Sequence, residues 1–197
     1  MQELLPGQAD PEPAGRQEAH VLPGLRLKLR RPVAAGTAAA AAAGILLFIA
    51  NPPADLGPLA FVALVPLLWA VGEWGARRGA LFGFVFGLVY YGLLLHWLIP
   101  FGIIAWLPLV VTQAAYAALF GFLAPRVTFR SRPVRSAFAA AALWTAVDWA
   151  RGAWPLGGFT WGAVAYTQHG NHLLLPLATV TGMWGLDFAV IDRKSVV

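Results

Sequence analysis

Long runs of apolar residues, separated by short polar connections, dominate the sequence after residue 32. The chain is 59% hydrophobic and 12% charged, whereas an ordinary soluble domain is about 45–50% apolar and about 25% charged. A water-exposed globule cannot hide so many apolar side chains in its interior. The sequence therefore predicts an all-α integral membrane protein.

The lengths of the apolar runs predict a polytopic bundle of about six transmembrane helices, since a helical crossing needs about 20 residues. We place them at 33–50, 58–71, 79–99, 103–123, 136–149 and 172–190. Between the first two, 51–57 reads NPPADLG, whose prolines cannot continue a helix and predict a tight hairpin. The transmembrane domain is thus residues 33–191, with a disordered basic tail at 1–32 and a short charged tail at 192–197. The basic stretch before Val33 also fits a signal peptide, but the later spans favour a retained helix.

The basic residues predict the orientation of the bundle. All of the 14 lysines and arginines except Arg151 fall on one side of the predicted spans. Cytoplasmic loops carry the excess of positive charge, so we expect a cytoplasmic N-terminus, with 51–57, 100–102 and 150–171 outside. This scattered distribution, without a basic face, argues against binding to nucleic acid.

The region between the fifth and sixth spans holds the best candidate site. Trp144, Asp148 and Arg151 are spaced i, i+4, i+7 and share one helix face. A carboxylate at the end of a membrane helix needs a partner, and Arg151 is one turn away. Two interpretations follow: the pair clamps the helix end to the next loop, or Arg151 binds a lipid phosphate or carboxylate.

Other polar and small residues have simpler interpretations. Gly79, Gly83 and Gly87 line one helix face and predict close packing within the bundle rather than dimerisation, and the oligomeric state stays open. His96 is expected to be a hydrogen-bonded interfacial group, and Gln113 an interhelical hydrogen-bond donor. Asp187 is expected near the cytoplasmic end of its span, reaching toward Arg193 or Lys194.

No metal or cofactor site is predicted. His169 and His172 lie three residues apart, but the sequence offers no third ligand. The chain has no cysteine, which excludes disulfides, thiolate metal sites and a cysteine nucleophile from these 197 residues.

The motif continues beyond Arg151 and resembles the membrane region of bacterial apolipoprotein N-acyltransferase. The matching positions are Trp144, Asp148, Arg151, Gly158, Phe159, Trp161, Gly162, Tyr166 and Gln168. PLAFVALVPLLWAV at 58–71 and GFVFGLVYYGLLLHWL at 83–98 are also similar, and the resemblance covers about 33–190. The family usually has glutamate where Asp148 stands and proline where Thr160 stands. The shorter aspartate stem predicts a looser pair with Arg151.

The resemblance implies an inner-membrane enzyme that moves an acyl chain from a membrane phospholipid to the N-terminal amine of a diacylglyceryl-cysteine lipoprotein. Members of the family use a cysteine thioester, a glutamate base and a lysine, all in an extracytoplasmic nitrilase-like domain that follows a seventh helix. We therefore expect this chain to be a truncated membrane part that lacks that domain, contains no catalytic residue and is inactive alone.

Two alternatives remain. A similar membrane region is fused to polyprenol-phosphate mannosyltransferases, and only downstream sequence distinguishes the two. A non-catalytic membrane scaffold or transporter fragment would carry polar residues at the membrane midplane or an inverted repeat, whereas the polar residues here cluster at predicted helix ends.

Overall fold

The computed structural model describes residues 32–128 and 132–192, and the regular structure of these residues is entirely helical. Apart from Pro32 and Asp192, the predicted tails lie outside the described residues. The class expected from the sequence, all-α, is confirmed for the described residues. Their α-helices are α1 Val33–Ile49, α2 Ala60–Ala63, α3 Val65–Trp74, α4 Ala76–Leu94, α5 Ile103–Val127, α6 Pro133–Ala153 and α7 Leu175–Asp192, with 3₁₀ segments at Gly57–Leu59, His96–Phe101 and Val164–Gln168.

Two segments are long and apolar enough to cross a membrane by length and composition, Gly57–Trp74 and Ile103–Val127. They correspond to the second and fourth of the six predicted spans. Helix α1 is apolar but shorter, while α4, α6 and α7 each include charged residues.

The predicted second span is not one helix. The 3₁₀ turn at Gly57–Leu59 leads into α2, which stops at Leu64, and α3 starts again with Pro66 in its first turn. A proline has no backbone N–H, and its ring clashes with the carbonyl one turn earlier. The helix therefore restarts at this proline, where an N–H is not needed.

The predicted sixth span, 172–190, is also interrupted. Helix α7 begins at Leu175, and Gly182 within it has φ 66° and ψ −169°, which is outside the helical region. The residue divides α7 into 175–181, which is largely exposed, and 183–192, which packs on the protein. Glycine adopts positive φ without a steric penalty, so the break falls where the sequence allows it.

Three of the four glycines of α4, those at four-residue spacing, lie against the backbone of α5. A methyl group on Gly83 would come within 2.8 Å of the carbonyl carbon of Ala117, and one on Gly87 within 2.5 Å of Cα of Ala114. Gly79 approaches the backbone of Gly121 in the same way. The two helices therefore touch through their backbones along the glycine face.

Aromatic side chains fill the space beside this contact. Phe86 stacks on Tyr90 with ring centroids 5.8 Å apart. Trp144 of α6 meets Phe86 at 6.0 Å and Phe120 at 5.0 Å, both edge to face. These rings make the core below Asp148 apolar, so polar groups next to it must find their partners within the protein.

Candidate functional site

The last turns of α6 direct a charged pair into the protein. Asp148 is 4% exposed and Arg151 1% exposed, and Nε of Arg151 lies 2.6 Å from Oδ1 of Asp148. Charge-assisted N–H···O bonds are typically about 2.7–2.9 Å long. The looser pair expected from the aspartate stem is therefore wrong. The short stem is sufficient because it meets Nε, the guanidinium nitrogen nearest the backbone.

The other end of the guanidinium binds the loop that follows α6. Nη1 of Arg151 donates to the carbonyl oxygens of Phe159 at 2.8 Å and Trp161 at 2.9 Å, and Nη2 donates to that of Thr160 at 3.4 Å. The backbone N–H of Phe159 in turn donates to the carbonyl of Arg151 at 3.0 Å. Three consecutive loop carbonyls thus face one arginine. These contacts favour the clamp over a lipid anion as the partner of Arg151.

Helices α5 and α4 complete the surroundings of Arg151. Oε1 of Gln113 accepts a hydrogen bond from Nη1 at 3.0 Å, so Gln113 joins α5 to α6 as an acceptor and not as the donor we expected. The guanidinium carbon also lies 5.4 Å from the ring centroid of Tyr91, within the range of a cation–π contact.

Two glycines of the motif allow the loop to fold this closely. Gly158 has φ 83°, and a Cβ there would lie 2.6 Å from the backbone nitrogen of Ala153. Gly162 has φ 81°, and its carbonyl accepts a hydrogen bond from the Tyr90 hydroxyl at 2.9 Å. Nδ2 of Asn51 donates to the same hydroxyl at 3.2 Å. The loop is thereby tied to α4 and to the α1–α2 connection.

Asp187 is buried against the loop that follows α6. Its side chain is 0% exposed, and Oδ1 accepts a hydrogen bond from the backbone N–H of Ala165 at 2.5 Å. It also faces Asp148. The break of α7 at Gly182 places the second part of the helix beside the loop, so Asp187 binds the loop backbone. The expected partners Arg193 and Lys194 lie outside the described residues.

Gln168 connects the loop to the first helical connection. Its Nε2 donates to the carbonyl of Gly57 at 3.1 Å, and its Oε1 accepts from Asn171 at 3.0 Å. Next to it, Nε2 of His169 lies 3.4 Å from Oδ2 of Asp55. No cluster of three or more His, Asp or Glu side chains suited to a metal ion occurs among residues 32–128 and 132–192.

The solvent-exposed face of the loop borders an apolar cavity of about 540 Å³. Trp97 and Trp161 meet at its edge with ring centroids 5.8 Å apart. Trp161 is 53% exposed and Tyr166 43% exposed. The remaining wall combines apolar residues with a few polar ones, including Phe48, Leu94, Asn51, His96 and His169. A cavity of this kind suits an amphipathic molecule, and among its described lining residues there is no carboxylate or thiol to act as base or nucleophile.

The structure thus brings most of the motif together and adds residues that the pattern did not indicate. Tyr90 and Asp187 each bind part of the loop, and Asn51 donates to the Tyr90 hydroxyl. Tyr90 had a signal in the sequence, since a phenol inside an apolar run needs a hydrogen-bond partner. Trp144 packs in the aromatic core and lines a small cavity together with Asp148 and Arg151.

A family model described as the apolipoprotein N-acyltransferase N-terminal domain matches residues 43–192. The apolipoprotein N-acyltransferase of Geobacter metallireducens is 32% identical over 158 residues, which cover 75% of this chain and 30% of that protein. The enzyme of Azotobacter vinelandii is 33% identical over 174 residues, covering 82% and 33%. That of Chromobacterium violaceum is 34% identical over 165 residues, covering 77% and 31%. The chain spans about a third of the length of these curated relatives.

Proposed function

The chain belongs to the apolipoprotein N-acyltransferase family through its N-terminal domain, and we propose that it forms the lipid-facing part of such an enzyme. The reaction is the transfer of a fatty acyl chain from a membrane phospholipid to the N-terminal amine of a diacylglyceryl-cysteine lipoprotein. The family match favours this function over the mannosyltransferase fusion and the non-catalytic scaffold or transporter fragment.

One observation supports the proposal above the others. The residues that carry the resemblance form a single packed unit, in which Arg151 holds the loop carbonyls of Phe159, Thr160 and Trp161. That unit presents Trp161 and Tyr166 to the apolar cavity of about 540 Å³. Amphipathic aromatic side chains are suited to the boundary between lipid and water. We assign the loop the task of positioning lipid substrates.

We assign the groups that react in acyl transfer to another part of the enzyme. These 197 residues include no cysteine, so a cysteine thioester cannot form on them. The titratable groups around Arg151 are buried and engaged with one another or with the backbone. We therefore propose a supporting function for this domain, and we expect the purified chain to transfer no acyl group from phospholipid to a diacylated lipopeptide.

The proposed membrane arrangement has the N-terminus in the cytoplasm, six crossings and the loop after α6 on the extracytoplasmic side. Because the chain has no cysteine, cysteines introduced one at a time can show on which side of the membrane each position lies. Cysteines replacing Ala54 and Gly170 should react with a membrane-impermeant maleimide applied to intact spheroplasts. Cysteines replacing Arg78 and Arg132 should react only after the membrane is permeabilised. Labelling of all four from outside would contradict the arrangement.

A chimera tests the proposed function directly. Residues 43–192 replace the matching segment of the Geobacter metallireducens enzyme, in cells depleted of their own N-acyltransferase. Mass spectrometry of a reporter lipoprotein should then detect the third acyl chain. A matched chimera with Arg151→Met should reach the membrane with much lower activity, while one with the exposed Gly72→Ala should stay active. A chimera that accumulates in the membrane and produces no triacylated lipoprotein would refute the proposal.

A further inference from the structure

Two buried carboxyl groups share one arginine at the end of α6. Asp148 and Asp187 are 4% and 0% exposed, they face each other, and Arg151 is the cation beside them. Among the described residues, the other titratable groups near them are Tyr90 and Tyr91 on α4 and Tyr116 on α5. Two buried negative charges beside one positive charge would leave an uncompensated charge inside the protein, which is costly.

Within 32–128 and 132–192, the hydrogen bonds leave one oxygen of each carboxyl group without a donor. Oδ1 of Asp148 accepts from Arg151, and Oδ1 of Asp187 accepts from the backbone N–H of Ala165. Oδ2 of each is buried and has no donor among the described residues. The Tyr90 hydroxyl donates to the carbonyl of Gly162 instead. A carboxylate can only accept, whereas a protonated carboxyl group can also donate.

We propose that Asp148 and Asp187 share a single proton, so that one carboxyl group donates to the other and the cluster with Arg151 is electrically neutral. This proton makes Asp187 a positioning residue. It ties α7 to α6 through Asp148 and to the loop through Ala165, and thereby supports the part of the loop that Arg151 holds. The inference does not depend on acyl transfer.

A single water molecule in the cavity beside Asp148 would not supply a donor to both carboxyl groups. The cavity beside Asp148 has a volume of about 10 Å³, and about 10–15 Å³ is the minimum for one water. Asp187 is not among the residues that line it. A water there would reach Asp148 and leave Oδ2 of Asp187 without a donor.

Infrared spectroscopy of the full chain in detergent micelles, with ¹³C in the aspartate side-chain carboxyls, detects the proton. Exposed aspartates are ionised at neutral pH, so the unsubstituted protein should have one protonated-carboxyl band that shifts with the label. Absence of that band at neutral pH would overturn the proposal, because both groups would then be ionised.

Isosteric variants locate the proton. Asp187→Asn supplies an amide donor to Asp148, and Asp148→Asn leaves Asp187 to ionise opposite Arg151. Each should therefore lose the band, yet keep the slow hydrogen exchange of the Ala165 amide. The double variant leaves Arg151 without a counter-charge and should lose that protection. A band that persists in Asp187→Asn, or a collapse of protection in Asp148→Asn alone, would contradict the shared proton.

Discussion

Replacing Arg151 by methionine removes every donor of the clamp while keeping a long side chain. Breaking a buried ion pair by removing one partner costs about 3–5 kcal/mol, and Asp148 is 4% exposed. The carbonyls of Phe159 and Trp161 and the side chain of Gln113 lose their donor as well. We expect the free energy of unfolding to fall by about 4 kcal/mol, a factor of about 10³ in the folded population. Arg151→Lys should lose less, since it keeps the charge but not the planar fork.

Unfolding of the purified chain in mixed micelles, followed by circular dichroism as sodium dodecyl sulfate is added, measures the effect. The matched control is Arg126→Met, because Arg126 is exposed and, within 32–128 and 132–192, binds the carbonyl of Phe122 in its own helix and the ring of that residue. Surface substitutions of this kind usually stay within about 0.5 kcal/mol. If the Arg151 and Arg126 variants unfold at the same detergent fraction, the buried clamp does not stabilise the fold.

Two further substitutions test the helix contact and the loop anchor in the same unfolding assay. Gly83→Ala should destabilise by about 1–3 kcal/mol, the usual cost of overpacking, because its methyl group would meet the backbone of α5. Gly72→Ala, with nothing within 4 Å of the new methyl group, should be neutral or stabilising. Tyr90→Phe should cost about 1–3 kcal/mol because the buried carbonyl of Gly162 loses its donor. Tyr166→Phe, at an exposed ring with longer contacts of 3.3 and 3.9 Å, should change little.

Each pair has an outcome that refutes its reasoning. Equal stability of the two alanine variants would mean that the backbones of α4 and α5 are not in contact at Gly83. A larger loss for Tyr166→Phe than for Tyr90→Phe would mean that the loop is held from its exposed side rather than through α4.

The sequence was most informative where local spacing determines the contact. The i, i+3 relation of Asp148 and Arg151 is fixed once a helix forms, and the same holds for the four-residue spacing of Gly79, Gly83 and Gly87. The all-α class followed from apolar run length in the same way. In each case the observed arrangement depends on residues that are close in the chain.

The sequence was least informative where contacts join distant segments. Nothing in the run 172–190 marked Gly182 as a helix break rather than as a glycine within a continuous helix. The break moves Asp187 next to the loop. Three of the acceptors of Arg151 are backbone carbonyls, which every residue has and no side-chain pattern marks. Tertiary packing determines both the helix break and the carbonyl contacts, and it leaves no periodic pattern in the sequence.

The buried ion pair is best understood from the loop rather than from the charges. A loop packed onto an apolar core has carbonyls that need donors, because an unpaired buried carbonyl is costly. Arginine carries five N–H groups on one rigid plane, so Arg151 can satisfy Phe159, Thr160 and Trp161 together. Burying its charge then requires a counter-charge, which Asp148 supplies at 2.6 Å. On this argument the loop requires the arginine and the arginine requires the carboxylate, and a shorter or longer acid is acceptable as long as it reaches Nε.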